Sequence, residues 1–155
     1  MDNTFPHTVA EIIEGLDQRK FSSVEITEYY LKKISTRDSE LNSFITVNDE
    51  LAIDQAREAD RKRSIGKANA LTGVPYANKD IFCTKNEETN ASSKILKNFI
   101  PQYESTVTKK LSEAGGIMIG KTSMDEFAMG SSNETSCHGP VINPWSNEKI
   151  NLVPG

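Results

Sequence analysis

The chain of 155 residues carries 18 Lys and Arg against 22 Asp and Glu, a net charge of -4, and is 36% apolar and 26% charged. That mixture suits one globular domain with a sizeable core and gives no general attraction to nucleic-acid phosphates, so RNA contact would need a local patch or a protein partner. Apolar runs fall short of the roughly 20 residues of a membrane span, and two cysteines, Cys83 and Cys137, without a CxxC pair argue against a disulfide framework or a zinc site.

In chain order, Thr8-Val9-Ala10-Glu11 and Ser22-Ser23-Val24-Glu25 both fit the capping box, in which a hydroxyl and a carboxylate satisfy free amides at a helix start. The first predicts a helix with Val9, Ile12, Ile13 and Leu16 on one apolar stripe, ending near Lys20. The second predicts a helix presenting Ile26, Tyr30 and Ile34, with Leu31 beside them. Leu41 to Val47 reads as a short strand, and Asp49 to about Ser64 as a third helix whose Ala52, Ala56 and Ala59 permit close packing, with Gly66 beyond its end.

A second strand is expected in GVPYANKDIF, followed by a polar excursion from Thr84 to Pro101 with a short helical piece around Ile95. Ser105 to Ala114 predicts a helix with Val107, Leu111 and Ala114 inward, stopped by Gly115-Gly116, and Ile117-Met118-Ile119 a buried strand. Ser123-Met124-Asp125-Glu126 fits a further capping box and predicts two helical turns ending at Gly130. From Ser131 to Gly155 the Ser, Asn, Pro and Gly content predicts loop. Helices alternating with about three strands imply an α/β layer with an incomplete pattern.

Two places invite chemistry. Lys79 falls at the end of the second predicted strand. A lysine there either runs its stem along the surface to water or sits desolvated, where burial favours the neutral amine and makes a base available. Asp80 beside it is a candidate salt-bridge partner that would keep the ammonium charged, and spacing does not decide between these. The second place is MGSSNETS, residues 129–136, where a helix-ending glycine frees amides and hydroxyls for a ligand; a plain polar connector has the same composition. No G-x-S-x-G elbow, P-loop or G-x-G-x-x-G occurs. His7 and His138 are isolated, which gives a metal cluster or a histidine-based triad little to draw on.

The runs LTGVPYANKDIFCTK and IGKTSMDEFAMGSSNETS, with a final VPG, resemble the amidase signature family, in particular its branch of tRNA-dependent amidotransferase A subunits. The resemblance spans nearly the whole chain in order. It implies the N-terminal portion of an α/β/α fold, a mixed sheet flanked by helices, as one domain with a helical part over 1–66 and the start of the catalytic core over 67–155. It also implies a Ser–Ser–Lys mechanism. A neutral Lys79 accepts a proton from a bridging serine held on a cis peptide, which activates a nucleophilic serine for attack on an amide carbonyl, with backbone amides stabilising the oxyanion. Met129, Gly130 and Ser131 match the segment that lines the substrate pocket.

The same resemblance implies release of ammonia from glutamine for transamidation of misacylated Glu-tRNA(Gln) or Asp-tRNA(Asn), with B and C partner subunits. ATP and Mg would act on the partner, tRNA would be reached through the complex, and no cofactor would be held by this chain. A stand-alone amidase and a non-catalytic partner-binding module are the alternatives. A cytoplasmic location without membrane attachment is expected, since MDNTFPHTVAEII lacks the basic-then-apolar pattern of a secretory leader. The family's bridging serine, nucleophile and oxyanion amides follow VPG, and no serine in residues 1–155 matches them, so these residues are expected to be a truncated portion, inactive alone.

Overall fold

The computed structural model describes residue 6 and residues 8–145. Helix α1 (Val9–Asp17) begins at Thr8, which accepts from the Glu11 amide while the Glu11 carboxylate accepts from the Thr8 amide. Helix α2 (Ser23–Leu41) opens the same way through Ser22 and Glu25. Helix α3 (Asp49–Ser64) reinforces that start, because Asp60 accepts from the Ser23 and Val24 amides at 2.7 and 3.2 Å. In α3, Asn48 caps the Leu51 amide, acids occupy the first turn and Arg61, Lys62 and Arg63 the last, in accord with the helix dipole.

The chain divides into two compact units. One comprises the chain to Lys32, Asn48–Tyr76 and Lys110–Ile119; the other comprises Lys33–Val47, Ala77–Lys109 and the residues from Gly120 onward. The first has an apolar centre of Ile12, Leu16, Ile26 and Val74, with Phe21, Tyr29 and Leu71 packed around it. Ala52, Ala56 and Ala59 are buried as their small size foretold, whereas Val9 turns outward at 53% exposure and leaves the stripe to Ile12 and Leu16.

Three strands form one sheet in the order β1-β3-β2. Strand β1 (Phe44–Val47) is antiparallel to β3 (Ile117–Thr122), with Val47 opposite Gly120 and Phe44 opposite Thr122. Gly120 is required there, since a Cβ would stand 2.5 Å from the Thr46 carbonyl oxygen. Strand β2 (Pro75–Lys79) runs in the same direction as β3, joined by Ile117 N–H to Val74 O and by Asp80 N–H to Thr122 O. Mixed pairing and flanking helices make the fold α/β.

Three expectations change. The strand predicted from Leu41 starts only at Phe44, because α2 runs on to Leu41 and Asn42 turns the chain at φ 56°. Asp38 then collects the Ser43 and Phe44 amides. Helix α4 (Thr106–Glu113) leaves Val107 42% exposed and buries Thr108, whose hydroxyl donates to Cys83 O. The helix predicted over 123–130 is a single 3₁₀ turn, Glu126–Ala128, with Phe127 and Ala128 at φ 53° and 60°. Its capping box fails because each member is engaged elsewhere: the Ser123 amide donates to Ser43 O, and the Glu126 carboxylate accepts from the Ser93 hydroxyl. The short helical piece near Ile95 is a 3₁₀ turn, Lys94–Leu96. Up to Trp145 the loop prediction after Ser131 is met apart from an isolated bridge at Ile142, and the VPG run lies outside the described residues.

Candidate active site

The second unit has a polar interior. Asn78, Asp80, Asn90, Ser92, Lys121 and Asp125 are each at most 5% exposed. Lys79 is the last residue of β2 and half-buried. Side chains alternate along a strand, so Asn78 and Asp80 share the buried face and Lys79 takes the other. Asp80 does not pair with Lys79. Its Oδ1 lies 3.0 Å from the Lys121 ammonium on β3, and its Oδ2 accepts from the Asn90 amide at 3.0 Å.

Lys121 is fully buried, and it directs its N–H groups at Phe82 O, Glu88 O and the Thr89 hydroxyl. With the three donors so used, Asp80 Oδ1 has a charge partner but no aligned hydrogen bond. Burial of two ions is tolerated only with such a dense set of partners. Burial pushes the nearby Glu87 carboxyl up, against the pull of the Lys121 charge, and Glu104 adds to the rise.

The predicted pocket segment folds around a different carboxylate. Asp125 Oδ2 accepts from the Asn133 amide at 3.0 Å, and Oδ1 from the Thr135 amide and hydroxyl at 3.3 and 2.8 Å. Burial works to raise the Asp125 carboxyl, but these donors outweigh it and hold the group below its usual range. Gly130 lies directly over the carboxylate, where a Cβ would come within 2.4 Å of its carbon. Met129, Gly130 and Ser131 are therefore held from beneath and face outward, with Met129 81% exposed. No hydrogen bond joins Lys79 to residues 129–131 among the described residues. The left-handed Phe127 and Ala128 immediately before the segment are backbone conformations that cost free energy and gather at functional sites.

Residues 25–155 match the family model for Amidase. The chain belongs to the amidase family. Among curated relatives, the glutamyl-tRNA(Gln) amidotransferase A subunit of Saccharophagus degradans is 55% identical over 148 residues, covering 96% of this chain and 30% of that protein. The protein of the same name from Hahella chejuensis is 54% identical over 144 residues, covering 93% and 30%. Among solved structures, the peptide amidase of Stenotrophomonas maltophilia superposes with TM-score 0.81 at 28% identity over 94% of this chain and 31% of that one. The glutamyl-tRNA(Gln) amidotransferase A subunit of Thermotoga maritima gives TM-score 0.64 at 32% identity over 80% and 25%. This amidase chain thus spans about 30% of the length of the curated relatives it matches.

Lys121, buried and paired with Asp80, is the charged residue of this polar interior that sequence reasoning missed. Its signal was present, a lysine ending the apolar run Ile117-Met118-Ile119-Gly120 inside a strand. Among the described residues no three His, Cys, Asp or Glu side chains stand together as a metal site. No described helix is long and apolar enough to cross a membrane.

Proposed function

We propose that this chain contributes the base lysine and one wall of the glutamine pocket to the A subunit of a glutamyl-tRNA(Gln) amidotransferase, in which ammonia freed from glutamine converts misacylated Glu-tRNA(Gln) to Gln-tRNA(Gln). The observation that carries the reading is the 55% identity to a protein of that name across almost the whole chain. The site supports it: Lys79 ends a strand, and the adjacent carboxylate is committed to Lys121. Lys79 takes a proton from a bridging serine, which takes that of the nucleophilic serine; the serine oxygen attacks the glutamine amide carbon, the proton returns through the same relay to the departing nitrogen, ammonia leaves, and water then hydrolyses the glutamyl ester to free the serine. Met129, Gly130 and Ser131 contact the amide. The two serines find no counterpart in residues 1–155, so these residues alone release no ammonia. B and C subunits are the partners, ATP and Mg act on the B subunit, tRNA is met through the complex, and the assembly works in the cytoplasm.

A stand-alone amidase is the second reading, because the backbone superposes more closely on the peptide amidase than on the Thermotoga maritima protein. Twofold higher sequence identity to the curated A subunits favours the first. The test uses a polypeptide carrying this chain at the length of its relatives, assayed for ammonia from glutamine and from small amides. Lys79→Met is expected to abolish release with the melting temperature unchanged. Activity that survives Lys79→Met removes the base role, and turnover of small amides with glutamine untouched moves the protein to the second reading.

A further inference from the structure

Two lysines bracket Asp80 in the second unit, the half-buried Lys79 beside it in the chain and the buried Lys121 across the sheet, and only Lys121 is paired with it. Asp80 follows Lys79 directly in the chain, yet its carboxylate points to the opposite face of the sheet and lies against Lys121 at 3.0 Å. Both members of that pair are at most 1% exposed. No charged group among the described residues lies within ion-pair distance of the Lys79 ammonium. Glu87 is the further acid that feels the Lys121 charge, with Glu104 beside it.

We propose that Lys121 is a positioning residue that cancels the charge of Asp80, so that no net negative field holds Lys79 as an ammonium. A carboxylate one residue from a candidate base would ordinarily favour the protonated amine and defeat its use. Removing it altogether would leave the buried Lys121 ammonium without its ion-pair partner. Setting a second lysine against Asp80 keeps both charges and makes their sum near zero at Lys79. The pair also fixes direction. Asp80 Oδ2 ties to the Asn90 amide, and Lys121 ties to Phe82, Glu88 and Thr89, so the chain following Lys79 is held to β3 and cannot swing the carboxylate across. The catalytic use of the pair rests on Lys79 as the base; the charge arrangement does not.

The test is chemical and needs no turnover. The 155-residue chain is labelled at pH 8 with a trace of acetic anhydride, which acylates only uncharged amines, and Lys79 acetylation is read by mass spectrometry against an internal standard amine. Lys121→Met strips the counter-charge from Asp80 and should lower Lys79 labelling by about three- to tenfold. Asp80→Asn strips the carboxylate and should raise it by a similar factor. The double variant, neutral like the original pair, should return to the wild-type rate. Equal changes in both single variants, or no change, overturn the inference. Circular dichroism checks each fold; if Lys121→Met does not fold, the sign of the change in Asp80→Asn decides, and if neither single variant folds, a double variant that departs from wild type overturns it. The expected labelling pattern, with Lys79→Met still active in the full-length assay, would uphold the charge arrangement and sink only the base role.

Discussion

Asp125 shows what a single side chain holds in place. Its carboxylate is the anchor on which residues 130–135 close, and its donors keep it ionised below the usual carboxylate value of 3.8. A folded-state value below the unfolded one stabilises the fold above about pH 3.8, and that stability is lost as pH falls through the folded value. Glu87 works the other way, since its raised carboxyl makes ionisation costly in the fold and acid relieves the cost. Asp125→Asn is expected to melt several degrees lower at pH 7 and to lose less on acidification below pH 4 than wild type, measured by thermal unfolding at stepped pH. Equal acid sensitivity in both proteins would remove Asp125 from the account. Neither role was legible in the sequence. Composition marks 129–136 as polar loop, but which carboxylate lies under it depends on long-range packing, and the local pattern at Ser123 suggested a helix cap instead.

At the scale of elements, the local rules held where the cap residues had no stronger partner. Thr8–Glu11 and Ser22–Glu25 bond within their own turn, and α3 keeps its predicted limits because Asn48 and the charge gradient of its ends act inside the helix. The same four-residue pattern at Ser123–Glu126 failed because tertiary partners took both members. The strand ending at Lys79 was readable, whereas a base role for that lysine came from the family resemblance and not from the local pattern. The destination of Asp80 was not, because a strand pattern reveals alternation and not the residue across the sheet. Ser22→Ala removes a hydroxyl that accepts from the Glu25 amide, and should cost about 1 kcal/mol in chemical denaturation. The Asp60 bonds to the same helix start remain and limit the loss; a cost beyond about 2 kcal/mol would mean that Asp60 does not share the capping.

For the whole molecule, the two units differ in what fills them: an aliphatic and aromatic cluster in one, a network of paired polar groups in the other. Polar interiors depend on complete pairing, so the second unit is the one that single substitutions at buried charges should disturb. The lone tryptophan, Trp145, is 84% exposed. Its emission should already be that of a solvated indole in the native protein and change little in denaturant, while circular dichroism reports a cooperative loss of helix. A strong red shift on unfolding would show that Trp145 is covered in solution.

The sheet order has a consequence for how the protein is made. The middle strand is the last of the three to leave the ribosome, so β1 and β2 have no partner in common until Thr122 has been synthesised. At about 5–20 residues per second, the stretch from Lys79 to Thr122 takes several seconds to synthesise, during which β1 and β2 both lack β3. A chaperone that captures the growing polypeptide would have that interval in which to act, and β3 closes it by sliding between segments already waiting.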